Sequence, residues 1–301
     1  MNYSLLESGN MKKILFKGCG TAIATPFTDT GVNLEEFEKL VEFQIQNNVD
    51  SIIVCGTTGE SSTMTEEEKK DLIKCAIKTS AKRVPIIVGT GSNNTQQAIK
   101  NSILAEQLGA DGLLIVTPYY NKCTQAGLIE HYKAIAESVS LPIILYSVSS
   151  RTGVNIEPNT CLELSKIENI VAIKEASGNI SQIAEISRLC GDNLHIYSGN
   201  DDQIVPILSL GGLGVISVLS NVKPKFVHDM VFNYLDGNIE KAKDMQLKSL
   251  PLIKSLFSET NPIPVKAALN MIGYNFGTPR LPLTEMTDKN KIILKNLLSD
   301  I

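Results

Sequence analysis

A lysine stands inside a run of apolar residues that has the composition of a buried β-strand. The stretch is NIVAIKEASG, residues 169–178, and Lys174 directly follows Val171, Ala172 and Ile173. Burial disfavours a charged ammonium, so we expect the pKa of a lysine in such a strand to be lowered. A neutral amine can attack a ketone and form a Schiff base, which turns the carbonyl carbon into an electron sink. Lys174 is therefore the first candidate catalytic residue.

Two simpler interpretations of Lys174 compete with catalysis. The lysine could form a structural ion pair with its neighbour Glu175, or it could lie on an edge strand and reach solvent. Consecutive residues of a strand point to opposite faces, so Glu175 should point away from Lys174. We therefore favour the catalytic interpretation.

Further polar side chains follow other apolar runs, at the strand ends where parallel α/β barrels have their active sites. They are Thr57 and Thr58 in CGTTGE, Asn93 after VGTG, Tyr119 and Tyr120 in TPYYN, Tyr146 and Arg151 in LYSVSSRTG, and Asn200 with Asp201 in YSGND. If the runs are neighbouring strands, these side chains converge with Lys174 on one opening.

The hydroxyl and guanidinium groups of this set can move protons and bind a small carboxylate, but each also has an ordinary structural interpretation. Tyr146, near the amine and Thr57, could carry protons during carbinolamine formation and loss, although core tyrosines are common. Arg151 could bind a carboxylate through two parallel hydrogen bonds, or it could be a solvated surface residue. The hydroxyls of Thr57 and Thr58 suit a small carboxylate, but loop threonines usually satisfy backbone groups.

Eight short apolar runs rich in β-branched residues alternate with longer amphipathic segments. The alternation predicts an α/β fold, a (β/α)8 TIM barrel, and an open doubly wound sheet is the weaker alternative. Thr65, with Glu68 three residues later, predicts a capping box at the start of one helix. The runs are residues 20–27, 51–56, 84–91, 112–118, 142–148, 170–177, 194–200 and 214–220.

The chain divides into three parts on this interpretation. We expect residues 1–13 to be a leader that is disordered or was introduced by cloning, because Met11 followed by two lysines resembles a second start. Residues 14–235 should form the barrel, and residues 236–301 a C-terminal helical segment. Helical patterns in that segment lie near residues 238–257, 263–272 and 288–299.

Composition and charge exclude several classes of protein. Apolar residues make up 43% and charged residues 20% of the 301 positions, which is typical of a globular enzyme rather than a disordered chain. The net charge of -4 comes from acidic and basic residues mixed along the chain, so no basic stripe favours nucleic acid. No apolar run is long enough to span a bilayer, so we expect no membrane partner and a cytoplasmic location.

Metal chemistry is not indicated by the sequence. The six cysteines contain no CxxC pair, and His131, His195 and His228 never fall at metal-ligand spacing. We expect reduced, mostly packed thiols and no metal.

Taken together and in order, the motifs resemble those of a known family, the pyruvate-dependent class I aldolases and lyases built around dihydrodipicolinate synthase and N-acetylneuraminate lyase. GTTGE, TPYYN, LYSVSSRTG, IKEASG and SGND occur in the family's order and at its expected strand ends. The similarity extends from about Phe16 to the C-terminus. The arginine of the RTG motif and the doubled tyrosine are more similar to the synthase branch than to the lyase branch.

The resemblance implies a reaction and a set of catalytic roles. Members of the synthase branch condense pyruvate with aspartate semialdehyde to give 4-hydroxy-tetrahydrodipicolinate, the first committed step of the diaminopimelate and lysine pathway. By position, Lys174 would form the Schiff base with pyruvate. Tyr146, Thr57 and, from a neighbouring subunit, Tyr120 would form a proton relay.

The resemblance also implies how substrates and subunits are arranged. Thr58 would hold the pyruvate carboxylate, Arg151 would bind the carboxylate of aspartate semialdehyde, and the backbone near Gly199 and Ile216 would line the pocket. No cofactor is implied beyond the covalently held pyruvate. The family is usually a homotetramer built from two tight dimers, which is the assembly that sharing Tyr120 requires.

Two stretches depart from the family pattern. Ser147 and Ser149 stand where asparagine and proline are usual, in the loop before Arg151. The feedback site for lysine is degenerate, because its usual histidines and glutamate are replaced, and losing an acidic partner for the effector's ammonium predicts weak inhibition by lysine. The positions of that site are Ser61, Glu66, Lys69, Asn93, Gln97 and Tyr119, of which Asn93 and Tyr119 fit the pattern.

Three other functions are compatible with parts of this sequence. A lyase or aldolase for sugar acids, such as N-acetylneuraminate lyase, would keep Lys174 and Tyr146 and use another aldehyde. A barrel carrying pyridoxal phosphate on Lys174 would need a phosphate site, for which GGLGVISV at residues 211–218 is a weak signal. The altered loop at Ser147 and Ser149 would also fit a barrel that binds a keto acid as a sensor without turnover.

Overall fold

The computed structural model describes residues 12–299. Strands in this range are β1 (Gly18–Ala22), β2 (Phe27–Thr28), β3 (Gly31–Val32), β4 (Ser51–Val54), β5 (Ile86–Gly89), β6 (Gly112–Val116), β7 (Ile143–Ser147), β8 (Ile170–Glu175), β9 (His195–Ser198) and β10 (Gly214–Ser217). Helices in this range are α1 (Leu34–Gln46), α2 (Glu66–Ser80), α3 (Thr95–Leu108), α4 (Gln125–Ala136), α5 (Ser149–Thr152), α6 (Pro158–Leu164), α7 (Ile180–Cys190), α8 (Ile204–Leu208), α9 (Pro224–Leu235), α10 (Ile239–Leu256), α11 (Ile263–Met271) and α12 (Asp288–Leu298).

Eight of these strands form a closed barrel in the order β1, β10, β9, β8, β7, β6, β5, β4. Every neighbouring pair is parallel, and β1 pairs with both β10 and β4. The predicted (β/α)8 TIM barrel is therefore confirmed, and each of the eight predicted runs overlaps one barrel strand. The predicted capping box of α2 is also present, with Thr65 and Glu68 bonded to each other's backbone N–H groups.

The first predicted strand extends too far towards the C-terminus. We expected it to reach residue 27, but β1 ends at Ala22. Pro26 has no N–H to donate to a strand ladder, and Phe27 N donates instead to Phe276 O at 3.1 Å. The chain then forms β2 and β3, a small antiparallel pair that was not predicted.

Alternate residues of the barrel strands point to the barrel interior and to the surrounding helices. The interior cluster includes Ile53, Ile87, Leu114, Ile144, Ala172 and Ile216. The cluster between strands and helices includes Ile52, Ile86, Leu113, Ile143, Ile173 and Val215. Lys174 follows Ala172 by two positions and therefore faces the interior, whereas Glu175 faces the helices.

An aromatic stack fills the amino end of the barrel. Phe16 and Tyr197 stack with their ring centroids 4.3 Å apart, and Tyr197 Oη donates to Phe16 O at 2.6 Å. A Cβ on Gly20 would lie 2.8 Å from the Phe16 ring, so a glycine leaves the space that the ring occupies. The interior is thus packed at this end, and a ligand site must lie at the other end.

The C-terminal helical extension is present, as predicted. Helices α10, α11 and α12 coincide with the three predicted helical patterns to within one residue at each end. The extension is joined to the barrel by a buried ion pair, in which Lys266 Nζ of α11 lies 2.7 Å from Glu60 Oε1. A boundary between residues 235 and 236 coincides with the end of α9 and stays a prediction.

Most of the predicted leader lies outside the described residues, which begin at residue 12. Lys12 and Lys13 belong to the described part, and Lys12 Nζ donates to the carbonyls of Ile167 and Glu168 at 2.5 and 3.1 Å. His195 Nε2 lies 3.1 Å from Lys12 O. This short stretch is therefore in contact with the barrel.

Residues 12–299 contain neither a membrane-spanning helix nor a group of side chains that could hold a metal ion. No helix in that range is long and apolar enough to cross a bilayer. In the same range, no three His, Cys, Asp or Glu side chains come close enough to hold a metal ion. The six cysteines are free thiols, four of them buried and two half-buried.

Candidate active site

The carboxyl ends of the barrel strands surround a cavity of about 220 Å³. Parallel barrels have their active sites at this end, because the loops that follow the strands converge there. Two of the residues that the family resemblance assigns to the site, Tyr120 and Ile216, do not line this cavity. The six predicted residues that do are Thr57, Thr58, Tyr146, Arg151, Lys174 and Gly199.

Lys174 supplies the buried amine of this cavity. Its side chain is 5% exposed and extends from β8 into the barrel. Its Nζ lies 4.3 Å from the centroid of the Tyr146 ring. Among residues 12–299, no carboxylate lies within ion-pairing distance of this amine, so it is available to a carbonyl compound that enters the cavity.

Gly199 leaves room for the lysine side chain. A Cβ at this position would lie 2.6 Å from Ala176 Cβ and 3.2 Å from Lys174 Cε. The first distance is shorter than any ordinary contact, so a larger residue would displace the strand end or the lysine. The glycine in SGND is therefore required by close packing.

Glu175 points away from the cavity, as expected, and this excludes the ion-pair interpretation of Lys174. Glu175 Oε1 accepts the N–H of Ser177 at 2.7 Å, and Oε2 accepts from Gln182 Nε2 at 2.9 Å. Burial raises the pKa of the Glu175 carboxyl, against the lowering effect of these hydrogen bonds. Asn155 Nδ2 donates to Gln182 Oε1 at 2.7 Å and extends the network.

Hydrogen bonds of the Ser147 side chain and of the Ser149 backbone carbonyl order the loop around Arg151. Ser147 Oγ donates to Asn155 Oδ1 at 3.2 Å. Ser149 begins α5, and its carbonyl accepts the N–H of Gly153 at 2.8 Å. This helical turn gives the backbone before and after Arg151 a defined conformation.

Tyr146 and Thr57 both face the cavity beside the lysine. Tyr146 on β7 is the direct register partner of Lys174 on β8 and is 7% exposed. Thr57 lies in the loop that follows β4 and lines the same cavity. The hydrogen bonds of the predicted proton relay between them stay a prediction.

A residue that the sequence analysis did not identify, Asn261, joins Thr58 to Arg151. Asn261 Nδ2 donates to Thr58 Oγ1 at 3.0 Å, and Arg151 Nη2 donates to Asn261 O at 3.2 Å. Asn261 is 5% exposed and lines the cavity from the loop between α10 and α11. It lies 203 positions from Thr58 along the chain, and its only sequence signal is an Asn-Pro turn.

Asp201 has a structural role at the mouth of the barrel. Its carboxylate accepts hydrogen bonds from Ser217 Oγ at 2.5 Å and from the N–H groups of Val218 and Leu219 at 3.0 and 2.9 Å. Burial raises the pKa of this carboxyl. Asp201 therefore fixes the loop after β10, while its neighbour Asn200 lines the cavity.

Residues 15–301 match the model of the dihydrodipicolinate synthetase family. The chain belongs to this family. It is 60% identical over 287 residues to the 4-hydroxy-tetrahydrodipicolinate synthase of Caldicellulosiruptor saccharolyticus, an alignment that covers 95% of this chain and 97% of that protein.

Solved structures of the family have the same fold. Dihydrodipicolinate synthase from Thermotoga maritima is 45% identical, with a TM-score of 0.93 over 95% of this chain and 98% of that one. A monomeric dihydrodipicolinate synthase variant is also 45% identical, with a TM-score of 0.93 over 95% of this chain and 97% of that one.

Two positions that the family resemblance singled out lie away from the cavity of this subunit. Tyr120 is 93% exposed and has a backbone φ of 70°, in the left-handed region that tyrosine rarely adopts. Ile216 is fully buried in the barrel interior and does not reach the cavity surface. The isoleucine packs below the site, and the tyrosine faces outwards.

A second cavity, of about 110 Å³, coincides with part of the predicted feedback site of the dihydrodipicolinate synthetase family. Ser61, Glu66, Lys69 and Gln97 line it, whereas Asn93 and Tyr119 do not. Glu66 is paired with two lysines outside the predicted set, which hold the pKa of its carboxyl below the ordinary value. These are Lys70 at 3.1 Å and Lys100 at 3.4 Å.

Proposed function

We propose that this protein condenses pyruvate with aspartate semialdehyde to give 4-hydroxy-tetrahydrodipicolinate, as a class I aldolase-type lyase. One observation carries the proposal: Lys174 Nζ lies in the cavity at the catalytic end of the barrel, buried and without a carboxylate partner among the described residues. Family membership and relatives named 4-hydroxy-tetrahydrodipicolinate synthase support the choice of substrates. The product belongs to diaminopimelate and lysine biosynthesis.

The reaction begins with attack of Lys174 Nζ on the keto carbon of pyruvate. The resulting carbinolamine loses water, so that a C=N bond to Nζ replaces the C=O bond. Tyr146 and Thr57 carry the protons of these steps, together with Tyr120 of a neighbouring subunit. Thr58 holds the pyruvate carboxylate during the sequence.

Carbon–carbon bond formation follows from the Schiff base. Loss of a proton from the methyl group gives an enamine, whose terminal carbon attacks the aldehyde carbon of aspartate semialdehyde. Arg151 binds the carboxylate of this second substrate, and the backbone near Gly199 lines the pocket. The covalent pyruvate serves as the electron sink, so the scheme includes no cofactor.

We further propose a cytoplasmic homotetramer of two tight dimers. The exposed position of Tyr120 supports the idea that it completes the site of another subunit. One solved relative is a monomeric variant, so the assembly requires a measurement of its own. Within each subunit we propose a barrel of residues 14–235 and a helical segment of residues 236–301.

The first test is a condensation assay with pyruvate and aspartate semialdehyde on wild type and Lys174→Ala. Sodium borohydride added with pyruvate should trap one reduced pyruvate on Lys174 of the wild type, seen by peptide mass spectrometry. N-acetylmannosamine and glyceraldehyde serve as rival aldehydes. Turnover of a sugar aldehyde in preference to aspartate semialdehyde would assign a sister activity, and trapping without turnover of any aldehyde would leave a keto-acid sensor.

A further inference from the structure

We propose that Asn261 recognises the α-ammonium group of aspartate semialdehyde through the free oxygen of its side-chain amide. The inference rests on the proposed function and adds a specificity-determining residue to it. Neither the motifs nor the family resemblance drew attention to this position.

The side-chain oxygen of Asn261 is buried and unsatisfied. Among the described residues, Oδ1 has no hydrogen-bond partner, although the residue is only 5% exposed. The other side-chain atom, Nδ2, is occupied by Thr58 Oγ1 at 3.0 Å. A buried acceptor without a donor is costly, so in a substrate cavity it is expected to meet a donor on the substrate.

The position of Asn261 fits the second substrate better than the first. Its main-chain oxygen accepts from Arg151 Nη2 at 3.2 Å, so the amide is anchored beside the guanidinium that binds the aldehyde's carboxylate. In aspartate semialdehyde the ammonium and the carboxylate share one carbon atom. A molecule held by Arg151 therefore has its ammonium within reach of the same residue, whereas ionised pyruvate has no N–H or O–H to donate.

A neutral amide also suits the last step of the reaction better than a carboxylate. The substrate nitrogen must first give up one proton, because only its free lone pair can form the new C–N bond at the imine carbon. A second proton then passes from that nitrogen to Lys174 Nζ, the C–Nζ bond breaks, and the lysine leaves as a neutral amine. A carboxylate in place of Asn261 would stabilise the ammonium and oppose the first of these proton losses.

The test compares two aldehydes that differ only in the amine, aspartate semialdehyde and succinic semialdehyde. For Asn261→Ala we expect kcat/KM for aspartate semialdehyde to fall about tenfold or more, as for loss of a charge-assisted hydrogen bond. The inhibition constant of succinic semialdehyde, used as a competitor, should change less than about twofold. Thr260→Ala, an exposed neighbour in the same loop, should change neither value.

A second variant keeps the acceptor oxygen and the shape of the side chain. Asn261→Asp should retain the KM for aspartate semialdehyde while kcat falls, and the fall in kcat should lessen as the pH is raised. Equal losses for both aldehydes in Asn261→Ala would overturn the proposal, since Asn261 would then act only through Thr58 and Arg151.

Borohydride trapping separates this inference from the proposed function. Suppose that wild type traps pyruvate and turns over aspartate semialdehyde, but Asn261→Ala weakens the interaction with aspartate semialdehyde and with succinic semialdehyde equally. Only the inference about Asn261 then fails. If wild type does not turn over aspartate semialdehyde, the proposed function fails and the ammonium subsite fails with it.

Discussion

The side chain of Lys174 lies beside a glycine and an aromatic ring. Gly199 has no side chain where a Cβ would lie 3.2 Å from Lys174 Cε, and the Tyr146 ring centroid lies 4.3 Å from Nζ. The neighbouring carboxylate, Glu175, is turned to the other side of the strand. These contacts orient the amine and provide no ion-pair partner, which leaves it open to attack a carbonyl group.

Gly199→Ala should reduce turnover strongly by displacing that amine. The new methyl group would meet Ala176 Cβ at 2.6 Å, and such overpacking costs about 1–3 kcal/mol in a packed interior. We expect a lower rate of pyruvate trapping by borohydride and a lower kcat. Gly56→Ala is the matched control, because there the nearest atom lies at 3.9 Å. Equal effects of the two changes would contradict this explanation.

The buried carboxyl of Glu175 should give a pH-dependent difference in stability. Burial raises its pKa above the ordinary 4.5, so the folded state binds the proton more tightly than the unfolded state. That contribution is fully present below the unfolded pKa and is lost as the pH rises through the folded pKa. The free energy of unfolding of wild type, relative to Glu175→Gln, should therefore decrease in urea titrations as the pH rises above the ordinary carboxyl pKa of 4.5. A difference that does not vary with pH would refute the assignment.

At the scale of elements, the loop after β4, which contains Thr57, Thr58 and Glu60, packs against α11. Glu60 has a left-handed backbone, and its N–H donates to Thr57 O at 3.1 Å. The Glu60 carboxylate accepts hydrogen bonds from Lys266 Nζ and from the backbone N–H of Arg280. Lys266 and Arg280 also lie over the Phe27 ring, at 4.3 and 4.1 Å from its centroid. The C-terminal segment thus holds in place the loop that carries Thr57 and Thr58.

Removal of the Lys266 ammonium from its buried pair with Glu60 should lower the free energy of unfolding far more than removal of an exposed charge. Lys266→Met leaves the Glu60 carboxylate buried without its partner, which costs about 3–5 kcal/mol of unfolding free energy. Lys225→Met, in an exposed pair with Asp229, is the matched control and should cost less than about 1 kcal/mol. Adding Glu60→Gln to Lys266→Met should recover part of the loss. Similar urea midpoints for the two single variants would argue against the support role.

The sequence predicted those parts of the fold and the site that depend on local pattern. Barrel strands were recognisable because both of their faces are buried, and the polar residues after them could be grouped because parallel strands end on one side of the barrel. Asn261 was missed since only folding brings it to Thr58. The β2 and β3 pair was missed because two-residue strands contain no periodicity.

At the scale of the whole molecule, the exposed ring of Tyr120 predicts that activity depends on self-association. The family resemblance assigns this tyrosine to the site of a neighbouring subunit, and its 93% exposure leaves the ring accessible to one. Tyr120→Phe should keep the assembly in sedimentation velocity but lower kcat about 10²-fold or more, as for loss of a proton-transfer group. A monomer with full specific activity on dilution would rule out the shared site.

Feedback inhibition by lysine should be weak in this protein. Lys70 and Lys100 pair with Glu66 at the rim of the second cavity, so an incoming ammonium meets two cations and a carboxylate that is already occupied. Calorimetric titration with lysine should show no sub-millimolar binding. Lys100→Ala, which partly frees Glu66, should bind lysine more tightly than wild type does. Inhibition by sub-millimolar lysine in a steady-state assay would show that the site is functional.

The loop between α10 and α11 is a place where the choice of aldehyde could change separately from the barrel strands. Its residues Phe257 and Asn261 reach the cavity from the C-terminal helices, whereas Lys174, the proposed nucleophile, and Tyr146 belong to barrel strands. Replacing this one short segment should therefore alter which aldehyde is accepted while Lys174 and Tyr146 stay in place, provided that the Asn261 hydrogen bond to Thr58 is kept. Engineering of new aldol acceptors on this scaffold can begin with a library confined to these few loop positions.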